Sequence, residues 1–202
     1  SHSLRTGELS RERQYELQEQ ANIISKLPFH IDDSPGLSIS TIRMRARRLK
    51  RKKNLGILFV DYLHLIKGVG KFNNKVEELA EITQGLKAIA KELDIPVIVL
   101  SQLSRAVENR EDKKPLLSDL RESGAIEQDA DIVMFIYREE YYLSRREPSG
   151  NDIKHGEWLD KISKAHNKAE IIIAKHRNGQ IGSVELHYDS KYSKFNDLAK
   201  NY

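Results

Sequence analysis

Apolar residues follow two rhythms along this chain. Three runs are nearly continuous: Leu55-Gly56-Ile57-Leu58-Phe59-Val60, Val97-Ile98-Val99-Leu100 and Ile132-Val133-Met134-Phe135-Ile136-Tyr137. Short unbroken runs of this kind predict strands buried on both faces, as in a parallel sheet covered by helices. Between the first two, Val76, Leu79, Ile82, Leu86, Ile89, Ala90 and Leu93 recur mostly at three- and four-residue steps, which predicts a helix from about Asn74 to Leu93. The basic loop Lys67-Gly68-Val69-Gly70-Lys71 precedes that helix, and Pro96 opens the next strand. The strand–helix–strand unit has the length of a right-handed parallel crossover.

The flanking segments are more polar. Ser10 is placed to cap a helix running through Arg13 and Leu17 towards Ser25, ended by Pro28. Phe29 to Asp33 reads as a short strand and Ser34-Pro35-Gly36 as a turn. A further helix starts near Ser38 or Ser40, with Ile39, Ile42, Ala46 and Leu49 on its apolar face. Residues 103–130 are polar, pinned by Leu116, Leu117 and Leu120, with a helix through Ile126 and Gln128. Residues 138–169 form a long connection anchored by Tyr141, Tyr142 and Trp158, with a helix near Glu157 to Lys168. Ile171 to Ala174 is a strand, Asn178-Gly179 signals a hairpin, and Val184 to Tyr188 returns.

Composition narrows the function classes. At 202 residues the chain is long enough for one domain with a substantial core. Thirty-four basic residues against 30 acidic ones leave a net charge of +4, too mild by itself to demand a polyanionic partner. There is no cysteine, which excludes disulfides, thiolate metal sites and cysteine nucleophiles. The seven histidines show no zinc-like spacing, and His155 and His166 read as surface residues. No apolar run approaches the roughly 18 residues that cross a bilayer, and residues 1–6 do not resemble a secretion signal. The expectation is a soluble, cytoplasmic protein with no membrane partner. No G-x-x-x-x-G-K-[ST] phosphate loop occurs.

Five places carry candidate chemistry. Asp61 stands where the first buried strand emerges, the rim at which open α/β sheets collect ligands. It is placed to order a magnesium ion on nucleotide phosphates, or else simply to cap the next element. Gln102 ends the second strand at the same rim, where an amide can bond a terminal phosphate or an attacking water; alone, it reads as surface. Arg121-Glu122-Ser123-Gly124 is a loop able to hold a phosphate, or a helix start capped by Ser123. Lys175 and Arg177 share one face of a strand tip beside a tight turn, suited to a transferring phosphate or merely to solubility. A basic helix face, Arg43, Arg45, Arg47, Arg48, Lys50, Arg51, Lys52 and Lys53, is either a nucleic-acid stripe or a solvated surface. No aromatic residues interleave with it to stack bases.

Taken together these motifs resemble the C-terminal motor domain of the bacterial replicative DNA helicase, the DnaB family of RecA-like hexameric ATPases. The resemblance spans nearly the whole chain. It runs through Ser3-Leu4-Arg5-Thr6-Gly7, Ile31-Asp32-Asp33-Ser34-Pro35-Gly36-Leu37 and Ile57-Leu58-Phe59-Val60-Asp61-Tyr62-Leu63. It continues with Val99-Leu100-Ser101-Gln102-Leu103-Ser104-Arg105, Leu117-Ser118-Asp119-Leu120-Arg121-Glu122-Ser123-Gly124, Glu127-Gln128-Asp129-Ala130-Asp131 and Ala174-Lys175-His176-Arg177-Asn178-Gly179.

The resemblance implies an α/β fold: a RecA-like, mainly parallel sheet flanked by helices, with a C-terminal antiparallel hairpin. It implies one domain over 1–202, incomplete because the family's phosphate loop and catalytic glutamate lie upstream of Ser1. Glu77 and Glu78 do not substitute for that glutamate. Asp61 is then the carboxylate that orders Mg²⁺ through water, and Gln102 the γ-phosphate sensor. Arg121, Glu122 and Gly124 match the loop that follows single-stranded DNA. Lys175 and Arg177 match the pair that reaches the neighbouring subunit's ATP, with Arg177 as arginine finger. The expected activity is ATP-driven translocation on single-stranded DNA and unwinding at the replication fork by a homo-hexamer, with primase and a helicase loader as partners. The alternatives are another RecA-like DNA-dependent ATPase of recombination or repair, or a non-catalytic DNA- or subunit-binding piece. His64, where glutamine is common, and the length of 138–169 depart from the family pattern.

Overall fold

The computed structural model describes residues 7, 10–120, 124–149 and 154–198. Ser10 caps α1 (Arg11–Ser25) by accepting from the Arg13 N–H, as a serine before a helix does. No residue of α1 is buried, and Tyr15, Ile23, Ile24, Phe29 and Ile31 on the helix and the following arm are exposed. The strand expected at Phe29 to Asp33 does not form. A strand needs a partner for its N–H and C=O groups. Here Asp32 is engaged instead by the Ser34 N–H and the Arg45 guanidinium.

Two helices build the first core. Ser38 caps α2 (Ile39–Lys53) and Asn74 caps α3 (Lys75–Leu93), each side-chain oxygen accepting from a backbone N–H three residues on. Asn54 and Asp94 close them in the left-handed region, at φ 51° and 48°. Leu79, Ile82 and Ile89 of α3 are fully buried together with Leu63, each contributing about 1.5–3 kcal/mol of transfer free energy. α2 and α3 approach closely at Gly85, where a Cβ would lie 2.4 Å from Ile39 Cγ1.

The α3 crossover joins β1 (Leu58–Val60) to β2 (Val97–Val99), which pair in parallel with Leu58 opposite Val97 and Val60 opposite Val99. Leu58, Val60, Val97 and Val99 pack on the α2–α3 core. The opposite face differs from the expectation of strands buried on both sides: Phe59 is 62% exposed, and Ile98 and Leu100 are exposed with it. One helical layer covers one face of a sheet, and no described element covers the other.

The remaining strands form a separate antiparallel sheet. α4 (Gly124–Asp129) leads into β3 (Ile132–Tyr137), and the order is β3–β4–β5–β6, with β4 (Lys168–His176), β5 (Gly182–Asp189) and β6 (Lys194–Asp197). Val133 and Phe135 face a second core with Leu120, while Ile132, Met134 and Ile136 on the alternate face are exposed. Ile126 of α4 touches both cores. The α/β class holds, with the described strands divided into one parallel pair and one four-stranded antiparallel sheet.

Between β3 and β4, α5 (Glu139–Leu143) and α6 (Lys154–Ala165) pack together, Trp158 Nε1 donating to Leu143 O at 3.0 Å. The helix expected to reach Lys168 stops at Ala165, because Asn167 turns left-handed (φ 55°) and Lys168 already pairs with His187 in the sheet. Among the described residues no helix is long and apolar enough to cross a membrane.

Candidate functional site

Asp61 follows β1 directly and is exposed; Gln102 follows β2 by three residues and is exposed as well. Parallel pairing brings the carboxyl ends of the two strands to one rim. The backbone carries the pairing past the strands: Leu100 N–H donates to Val60 O and Leu63 N–H to Leu100 O, both at 2.9 Å. The Asp61–Tyr62 peptide is cis. Ser101 Oγ, beside Gln102, is buried with no hydrogen-bond partner among the described residues. Magnesium is commonly held by one or two carboxylates plus substrate phosphates and water, so an exposed carboxylate at this rim fits that ion. Three or more clustered acidic or imidazole side chains, as a cage of protein ligands would need, do not occur among the described residues.

From Gln102 the chain passes into a polar loop held by a buried carboxylate. Asp119 is 4% exposed and accepts from Arg110 Nη1 at 2.9 Å, Arg110 Nη2 at 2.8 Å and the Leu116 N–H at 2.8 Å. The Lys113 ammonium is buried against the carbonyls of Glu108 and Arg110, and burial pushes its pKa down. Nothing in the spacing of this segment announces these contacts. Leu103 and Leu120 form an isolated antiparallel bridge. Arg121 and Glu122 lie outside the described residues, and Gly124 is the first residue of α4.

Lys175 and Arg177 reach the same place, as strand alternation predicts. Lys175 Nζ donates to Glu127 O and, at 3.5 Å, to Gln128 O. Arg177 Nη2 donates to Gln128 O at 3.0 Å, and its Nη1 lies 3.2 Å from Asp131 Oδ1. Asp131 also pairs with Lys87 of α3. That ammonium first, then the charges of Arg177 and Lys175, hold the Asp131 carboxyl below the usual carboxylate range. The guanidinium is nonetheless half exposed, at 49%.

The hairpin signalled by Asn178-Gly179 forms between β4 and β5. Residues 177–181 separate β4 from β5, and neither Asn178 nor Gly179 has positive φ. A Cβ at Gly179 would lie 2.3 Å from His176 Cε1, so a side chain there would oblige the imidazole to swing aside.

Three of the eight basic residues on α2 are in ion pairs: Arg43 and Arg47 share Glu92, and Arg45 takes Asp32. A cleft of about 660 Å³ lined by Lys67, Phe72, Lys75 and Glu78 includes none of the candidate residues. Its rim loop is tied down internally, Gly68 N–H donating to Glu78 and Val69 N–H to Glu81, each at 3.0 Å.

Comparison with known proteins gives these positions a context. The family model described as "DnaB-like helicase C terminal domain" matches residues 1–197. The replicative DNA helicase DnaB of Rickettsia typhi is 70% identical over 200 residues, covering 99% of this chain and 40% of that protein. The replicative DNA helicase DnaC of Bacillus subtilis is 46% identical over 201 residues, with shares of 99% and 40%. This chain thus spans about 40% of the length of the curated relatives it matches. Among solved structures, an ATPase domain superposes with a TM-score of 0.83 at 38% identity, over 98% of this chain and 65% of that one. A DnaB-like replicative helicase solved for its interactions with primase gives 0.79 at 40% identity, over 95% and 43%. The fold is the RecA-like α/β fold of these domains, and the chain belongs to the DnaB-like helicase C-terminal domain family.

Proposed function

We propose that the protein carrying this chain is a replicative DNA helicase, which couples ATP hydrolysis to movement along single-stranded DNA and to unwinding of the duplex. The observation that carries the reading is the common rim: an exposed carboxylate, Asp61, and an amide, Gln102, follow neighbouring parallel strands in a chain 70% identical to a replicative helicase. Asp61 would hold magnesium through its water shell, and Gln102 would hydrogen-bond the terminal phosphate. Bound there, the ion would supply charge neutralisation across the phosphate oxygens.

Arg177 is exposed and Lys175 half-buried at a hairpin far in sequence from that rim, which suits groups that serve the nucleotide of an adjacent copy in a ring of six. Arg121, Glu122 and Gly124 would follow the DNA backbone. A primase partner is supported by the solved DnaB-like helicase described with primase; a loader and a cytoplasmic setting complete the reading.

The test is Arg177→Ala in the full-length protein. Steady-state ATP turnover should fall by about 10³ or more, while binding of a fluorescent nucleotide stays within about threefold. Undiminished turnover removes the finger. Turnover that is stimulated by DNA without unwinding of a forked substrate favours a repair-type ATPase.

A further inference from the structure

Both terminal nitrogens of Arg177 are engaged by its own subunit. Nη2 is on Gln128 O and Nη1 on Asp131, and the Arg177 N–H donates to Asp131 O at 2.8 Å. Lys175 is seated on the neighbouring carbonyls of the same short helix. Carbonyls that end a helix lack intrahelical donors and attract cations, so α4 offers the pair a ready resting place. A guanidinium grips a phosphate through two parallel N–H donors. One contact on each terminal nitrogen leaves three of its five N–H donors free, but it turns the end-on pair of nitrogens towards Gln128 and Asp131 and away from any other anion.

We propose that Asp131 is a positioning residue that holds Arg177 in reserve on its own subunit, competing with the phosphate the arginine would serve. The inference rests on the reading of Arg177 as a finger. The competition is graded by Lys87, which binds the other oxygen of the same carboxylate. Asp131 is 53% exposed, and an exposed ion pair shifts an equilibrium by no more than about fivefold. The hold is therefore weak enough to be broken in every catalytic cycle. It is also strong enough to register in the rate.

The experiment uses the full-length protein without DNA and measures kcat and KM for ATP. Asp131→Asn keeps the backbone carbonyl and the side-chain size, and should raise kcat about two- to fivefold with little change in KM. Lys87→Met leaves the whole carboxylate to Arg177 and should lower kcat by a similar factor. The rise should vanish when Asp131→Asn is combined with Arg177→Ala. A structural role for Asp131 predicts that both single variants lose rate, together with a lower melting midpoint. An unchanged or reduced kcat for Asp131→Asn overturns the proposal, even where Arg177→Ala abolishes turnover. Turnover surviving Arg177→Ala overturns the finger reading itself.

Discussion

Leu103 and Leu120 pair across an isolated antiparallel bridge, and the Ser104 N–H to Asp119 O bond at 2.8 Å extends it. The residue after Gln102 is thereby tied to the last described residue before the segment that leads to Gly124. A backbone shift at Gln102 has one residue to cross before it reaches that bridge. Gln102→Ala should therefore uncouple more than it weakens. Nucleotide affinity should stay within a few-fold, while stimulation of ATP turnover by single-stranded DNA falls about tenfold or more, a coupling of ordinary size. Full stimulation in the variant would show that Gln102 does not couple to that bridge.

Asp119 supports the same bridge. Truncating it to alanine strips a partner from the Leu116 N–H and from the Arg110 fork. A buried donor left unpaired costs about 1–3 kcal/mol. Arg110 is a third exposed and can turn to water, so the lower half of that range is expected. Amide hydrogen exchange at Leu116 and Ser104 should accelerate. Unchanged protection would show that the clamp is dispensable.

Gly85→Ala has a sign that helix propensity alone gets wrong. In an open helix the change stabilises by about 1 kcal/mol. Here the new Cβ would meet Ile39 Cγ1 at 2.4 Å, and Ile39 is itself buried. Overpacking costs about 1–3 kcal/mol, so the urea midpoint should fall. Adding Ile39→Ala should recover less than it loses elsewhere, yet the two changes should be non-additive. Simple additivity would refute the contact.

Acid should loosen the arm and α2 before the cores. The Asp32 carboxyl is held down from an ordinary 3.8 to about 2, first by the Arg45 hydrogen bond and then by Ser34. Glu92 is lowered by Arg47 and then Arg43, and Glu78 by Lys75 and then the Gly68 N–H. A lowered folded pKa means the contribution is complete above the unfolded value and lost as pH falls through the folded one. For Asp32 that window runs from 3.8 down to about 2. Asp32→Asn should flatten the stability profile there, and leave its slope unchanged above about pH 5. A profile identical to the parent protein throughout that window would count against the pairing.

What could be read directly were features whose cause is local. Ser10 and Ser38 start helices because a side-chain oxygen meets an N–H three residues away. The period of Leu79, Ile82, Leu86 and Ile89 is the period of one buried helix face. Asp61 and Gln102 reach one rim because the strands before them pair in parallel, as a helical crossover of that length allows.

Other features depend on groups far apart along the chain. An unbroken run such as Ile57 to Val60 looks the same whether one face or both are covered, so the exposure of Phe59 and Met134 emerged only from the packed layers. Lys194 to Asp197 has no apolar alternation, and becomes β6 only because β5 supplies its partners. The seat of Lys175 and Arg177 on Glu127, Gln128 and Asp131 joins β4 and the residue beyond it to a helix end that no local pattern links to them. Side-chain pattern determines which face of an element is apolar and where it can begin. Only the tertiary structure decides which donor meets which acceptor, because that choice is made by whatever other elements bring within about 3 Å.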